Sequence, residues 1–120
     1  MTGASAWSVA LMGLEGCLVE VETAISSGLP RTVLVGLPDM ALHEARDRCR
    51  AAVGATGMSW PSNVLTINLT PAGLPKAGTH FDLAIAAATL AADKKVPQTL
   101  LGSTVLIGEL GLDGRIRPVR

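Results

Sequence analysis

The chain has 120 residues with ten basic and ten acidic side chains, so its formal net charge is zero. That length suits one domain, and the charge balance gives no bulk signal for nucleic acid or an acidic membrane surface. Apolar residues make up 48%, with one Phe, no Tyr and two Trp, which predicts a closely packed aliphatic core.

Two strands are predicted first, Ala6–Leu14 and Cys17–Ile25, separated by Glu15-Gly16. In the second, Val19 and Val21 alternate with Glu20 and Glu22, so the valines face a core and the glutamates do not. Arg31–Val35 is a short β-branched run and a third strand, and the three together read as an antiparallel meander. Asp39, after Pro38, reads as a helix N-cap. The helix runs to about Val53. At roughly 100° per residue, Ala41, Leu42, Ala45, Cys49, Ala52 and Val53 fall on one arc, with His43, Arg46 and Arg50 beside it. Glu44 and Arg48 make an i,i+4 pair on the far side, and Gly54 and Gly57 end the helix.

Trp60-Pro61-Ser62 reads as a turn, and Asn63–Leu69 alternates as a fourth strand. A loop over Pro71–His80 leads into Phe81–Asp93, which is apolar almost all round and therefore reads as a buried helix. Asp82 caps it or sits in its first turn. Lys94-Lys95 closes it in the sense the helix dipole favours. Val105–Leu110 and Ile116–Val119 form a last strand pair, with Asp113-Gly114 as the hairpin signal.

No stretch reads as a secretory signal, and the longest apolar run, 83–92, falls far short of the ~20 residues needed to span a bilayer. Cys17 and Cys49 form no C-x-x-C pattern and read as reduced thiols. A cytoplasmic protein with no membrane partner is expected. No Gly-x-x-x-x-Gly-Lys-Ser/Thr loop is present, so no phosphate loop is expected. His43 and His80 are the only histidines, and two ligands do not make a metal site.

Three stretches carry a resemblance. They are Val35-Gly36-Leu37-Pro38-Asp39 with Glu44, Arg46, Arg48 and Arg50; Asn68 through Leu83, containing Leu74-Pro75-Lys76-Ala77-Gly78-Thr79-His80; and Gly108-Glu109-Leu110-Gly111-Leu112-Asp113-Gly114 with Arg115, Arg117 and Arg120. Together, in this order and over essentially the whole chain, they are similar to the N-terminal domain of the ComM/YifB family, bacterial magnesium-chelatase-related AAA+ ATPases. The second and third also resemble the proteolytic domain of Lon.

The fold this implies is an α/β (α+β) sandwich of the ribosomal protein S5 domain 2-like or Lon proteolytic-domain-like type, a mixed sheet packed with two main helices. Residues 1–120 would then be one Lon-like, ChlI-type domain cut from a longer ATPase. The resemblance places His80 where Lon has its nucleophilic serine, and the Lon catalytic lysine would fall a few residues past Arg120. It therefore implies no catalytic residue here, and ATP and Mg2+ belong to an AAA+ module outside the chain. The implied parent is a hexameric ATP-driven motor of the ComM type, implicated in branch migration of recombination intermediates.

Partners expected on that basis are the parent's own AAA+ module, like subunits in a ring, and single-stranded or branched DNA. Candidate DNA- or anion-binding residues are Arg46 and Arg50 on one helix face, Lys76 in the loop feeding a helix N-terminus, and Arg115 and Arg117 on one face of the last strand. The opposing readings are that Arg46, Arg48 and Arg50 pair with Glu44 and Asp47, and that the strand arginines protect a sheet edge. A pure protein-interaction and oligomerisation domain without DNA contact is the alternative function.

Overall fold

The computed structural model of the chain describes residues 2–12, 14–71, 74, 76 and 78–118. In chain order these form β1 (Thr2–Met12), β2 (Glu15–Ser26), β3 (Arg31–Val35), α1 (Asp39–Ala55), β4 (Val64–Thr70), α2 (Asp82–Ala92), a 3₁₀ turn (Gln98–Leu100), β5 (Glu109–Leu110) and β6 (Ile116–Arg117). The first four strands make one mixed sheet in the order β1-β2-β4-β3, and β5 and β6 form a separate hairpin. This is the mixed α/β architecture with two main helices that the sequence implied. Val119 and Arg120, with Ala72, Gly73, Pro75 and Ala77 of the loop before α2, lie outside the described residues. The expected end of the last strand and the Arg120 part of the basic cluster therefore lie outside them too.

β1 and β2 pair antiparallel along their length, from Thr2↔Ile25 to Met12↔Glu15. The meander stops there. β2's other edge is taken by β4, antiparallel, and β3 lies outside β4 and parallel to it. A parallel pair needs a long crossover, and α1 supplies it between β3 and β4. The local apolar pattern that marked β3 as a strand says nothing of which neighbour it takes.

Alternation sets the buried face. Val19, Val21 and Thr23 are buried on β2, and Leu65, Ile67 and Leu69 on β4, while Glu22 is exposed. The buried groups of β1 among the described residues are small: Ala6, Ser8 and Ala10. They match the buried alanines of α2, including Ala84, Ala88 and Ala91, so helix and strand backbones approach closely. Thr23 Oγ1 donates to Ala88 O across this contact at 2.8 Å. On α1, Ala45, Cys49, Ala52 and Val53 are buried and Ala41 and Leu42 half-buried, which is the expected arc.

Three details differ from expectation. Pro38, not Asp39, holds the N-cap position of α1, because its carbonyl already accepts the Leu42 N–H at 2.9 Å. Gly54 is inside the helix, which ends at Ala55. Val105–Gly108 does not join the final hairpin. Instead Leu106 N–H donates to Trp7 O, Gly108 N–H to His80 O, and Leu83 N–H to Gly108 O. Gly108 can sit in that tight exchange because a Cβ there would lie 2.8 Å from the Ile116 side chain.

α2 ends in a Schellman motif: Lys95 N–H donates to Leu90 O, Lys94 N–H to Ala91 O, and Lys94 adopts φ +60. The helix is not buried on every side. Leu83, Ala87 and Leu90, spaced as one stripe, are only half-buried. Ala88→Leu should therefore overpack the sheet contact by about 1–3 kcal/mol, whereas Ala87→Leu should stay near wild type. Urea unfolding of the two variants checks this, and equal effects would contradict the orientation of α2.

Candidate functional site

The loop before α2 is where a nucleophile was to be sought. Gly78 turns the chain at φ +104, and a Cβ on it would lie 2.8 Å from His80 Nδ1. The His80 ring is thereby pressed against backbone on one side. On the other, Nε2 donates to Val9 O at 2.6 Å, and the ring stacks at 4.2 Å on Phe81. His80 is thus half-buried and bonded to the outer edge of β1. The rest of that edge is satisfied in the same manner. Gln98 exchanges two bonds with Ser5, Ser5 N–H to Oε1 at 2.8 Å and Nε2 to Ser5 O at 2.9 Å, and Leu106 N–H takes Trp7 O. Sheet edges left open invite pairing with other chains, and here two side chains and one loop amide close β1.

Two residues further on lies the most enclosed ion pair among the described residues. Asp82 is 1% exposed. Its carboxylate accepts from Arg48 Nε at 2.7 Å, from Arg48 Nη2 at 3.0 Å, and from the Leu110 N–H at 3.1 Å. Its backbone carbonyl accepts the Cys49 thiol at 3.4 Å. Arg48 was expected to pair with Glu44, but that contact is 3.9 Å and Asp82 is the main partner. The Asp82 hydrogen bond, and then its charge, raise the pKa of the Arg48 guanidinium, with smaller help from Glu109. The sequence did hold a signal for this pair. Asp82 is the one acid in an otherwise uncharged apolar helix, and a buried acid needs a counter-charge.

The basic candidates separate into three places. Arg46 is half-buried, with Nε 3.2 Å from its neighbour Asp47. Arg50 is exposed and makes no ion pair with a described residue. Lys76 is 5% exposed, with Nζ donating to Leu74 O at 3.0 Å, and burial pushes its ammonium pKa down. Lys76 is thus turned inward, onto the backbone of its own loop. Of Arg115 and Arg117, only Arg115 makes an ion pair among the described residues, with Nε 3.7 Å from Asp113. Asp113's pKa is held low, first by the Arg115 backbone N–H and then by both arginine charges. β6 comprises only Ile116 and Arg117, with Arg117 opposite Glu109, so Arg115 belongs to the turn and not to the strand.

The outer sheet face carries a shallow depression of about 660 Å³ lined by Ser5, Glu20, Glu22, Thr66, Asn68 and Gln98, among others. Its only charges are the two glutamates, which disfavour a polyanion there. Among the described residues no three His, Cys, Asp or Glu side chains converge as a metal site, and no described helix is long and apolar enough to cross a membrane.

Cys49 gives this region a pH signature. Burial first, and then the Asp82 charge, push its thiol pKa far above the ordinary range, while an unfolded thiol titrates near 8.5. The folded chain keeps a proton that the unfolded chain gives up. The resulting stability is complete below about pH 8.5 and is lost as pH rises beyond it. Lys76 acts in the opposite sense, so the comparison must be with Cys49→Ala. Between pH 7.5 and 10, urea unfolding should show wild type losing up to about 2 kcal/mol more than Cys49→Ala. Equal losses would contradict the buried neutral thiol.

The family model for subunit ChlI of Mg-chelatase matches residues 21–120. An uncharacterised Mycobacterium tuberculosis protein is 58% identical over 115 residues, covering 96% of this chain and 23% of that protein. YifB of Escherichia coli is 44% identical over 110 residues, 92% of this chain and 22% of YifB. Competence protein ComM of Haemophilus influenzae is 40% identical over 119 residues, 99% of this chain and 23% of ComM. The chain thus spans under a quarter of the relatives it matches, and it belongs to the ComM/YifB family of Mg-chelatase-like proteins.

Proposed function

We propose that this chain is a non-catalytic accessory domain of a Mg-chelatase-like AAA+ ATPase of the ComM type, a motor acting on DNA. It contributes to ring assembly and offers a weak guiding contact to DNA. Its ATP and Mg2+ belong to the AAA+ module of the parent, and its partners are that module and like subunits. The observation that carries the reading is the use of His80. The residue at the position of the Lon nucleophile is bonded to β1 through Nε2 and pressed on Gly78 through its other face, so it serves the sheet edge. A nucleophile or base must instead stand within hydrogen-bond reach of a reacting group.

DNA contact on this account falls to Arg50, Arg115 and Arg117, which are exposed. Three separated cations, one of them paired with Asp113, neutralise few phosphates. Affinity should be non-specific, in the range of about 10⁻⁴–10⁻⁶ M, and should weaken steeply with salt as counterion release requires. The second reading, a pure assembly domain, is favoured by the inward use of Lys76 and Arg48 and by the Arg46–Asp47 pair. Fluorescence anisotropy with labelled single-stranded and forked DNA separates the two. Salt-sensitive binding that Arg50→Glu with Arg117→Glu abolishes, while Arg46→Glu changes it little, is the expected result. No binding at low salt, by the chain or by the full-length protein, would leave the assembly reading alone.

A further inference from the structure

We propose that the outer edge of β3 is a self-association site, at which two copies of this chain pair their β3 strands antiparallel across a two-fold axis centred on Val33. The two edges of the four-stranded sheet are treated unlike. On β1, the Ser5 N–H, Ser5 O, Trp7 O and Val9 O are all bonded to side chains or a loop amide. β3, at the other end of the sheet, pairs with β4 alone. Among the described residues no other backbone hydrogen bond reaches Arg31–Val35. The Trp60 indole donates to Thr32 Oγ1 at 3.0 Å, a side-chain bond that leaves the backbone row as it was.

The chemistry of the edge narrows the partner. An outward row of N–H and C=O groups at strand spacing is matched by another extended strand. A phosphate backbone only accepts hydrogen bonds and leaves the carbonyls unmet. A second copy brings its strand already folded, whereas a disordered peptide loses backbone freedom as it pairs. Edge strands are commonly blunted by a bulge, a proline or an inward charge. Arg31–Val35 pairs with β4 residue for residue, holds β-branched Thr32, Val33 and Val35, and carries its one charge at its first position.

The limits of the strand set the register. Pro30 has no N–H to offer, and beyond Val35 the chain turns at Gly36 with φ +103. The antiparallel pairing that uses every residue between them puts Val33 opposite Val33, Thr32 opposite Leu34 and Arg31 opposite Val35. Valine pairs suit such a ladder, and no like charges face each other. The two guanidiniums sit at opposite ends of the pair, about 13 Å apart along the strands. One short strand pair buries less than the roughly 1,200–2,000 Å² of a stable complex, so the contact is weak and reversible, and trapping reads it better than a mass measurement. Being two-fold, it is distinct from the head-to-tail contacts that close a ring. The inference therefore goes beyond the assembly role proposed above and does not rest on it.

The test is disulfide trapping of the full-length protein in a glutathione redox buffer, with the linkages mapped by mass spectrometry. Directly opposed cross-strand residues have Cα atoms roughly 4.5–5.5 Å apart, within disulfide reach. Val33→Cys should form a disulfide between the two copies of position 33 several-fold faster than Ser103→Cys, an exposed turn position that reads the rate of random collision. Val33 is half-buried, so a second pair of variants at exposed positions keeps the test independent of its packing. A mixture of Arg31→Cys and Val35→Cys should link position 31 of one chain to position 35 of the other, while each variant alone links no faster than Ser103→Cys. Trapping of Val33→Cys at the Ser103→Cys rate would overturn the proposal. So would 31–31 and 35–35 linkages as abundant as 31–35, which would mean collision without a register.

Discussion

Asp82 is the point on which the arrangement of α1, α2 and the C-terminal hairpin depends. A carboxylate taken out of water without partners costs several kcal/mol. Here its two oxygens receive the Arg48 fork from α1 and the Leu110 amide from β5, while its carbonyl receives the Cys49 thiol. Three elements distant in sequence are thereby fixed by one side chain. No one of them can slide without leaving a charge unmet. Replacing such a pair with apolar residues is often neutral, so its contribution is better read as fixing the geometry than as adding net stability.

The clamp also decides what the surface has left to offer. Charges that the sequence presents as one basic cluster are spent on architecture in the structure. Arg48 is consumed by Asp82, Lys76 turns inward to Leu74 O and Arg46 leans on Asp47, while Arg50, Arg115 and Arg117 stay exposed. His80 is likewise drawn into the β1 edge.

How far this was legible can be read from single elements. β2 and β4, and the buried arc of α1, followed from alternation and helical period, because burial on one face imposes those repeats on a sequence; β1 starts at Thr2, four residues before its expected start, and Glu15-Gly16, expected as the break, pairs inside β2. The neighbour of β3 did not follow, since strand order is set by the α1 crossover and the occupied edge of β2. Nor did the fate of Val105–Gly108, which looks like a hairpin strand but is captured by Trp7, His80 and Leu83 through backbone bonds that leave no side-chain pattern. The spacing that put Arg115 and Arg117 on one strand face did not hold, since Arg115 lies in the turn before β6, and loop position alone does not reveal which way a lysine such as Lys76 folds. Gln98 carried no sequence signal at all.

The most direct measurement of the account is a double-mutant cycle on Arg48→Ala and Asp82→Ala, read by denaturant unfolding of this chain. The clamp predicts a coupling of about 2–3 kcal/mol, with the Asp82 and Arg48 single variants each far more damaging than Glu44→Ala. A coupling below about 0.5 kcal/mol, the level of an ordinary exposed helix pair, would contradict the claim that this ion pair holds the two helices and the hairpin together.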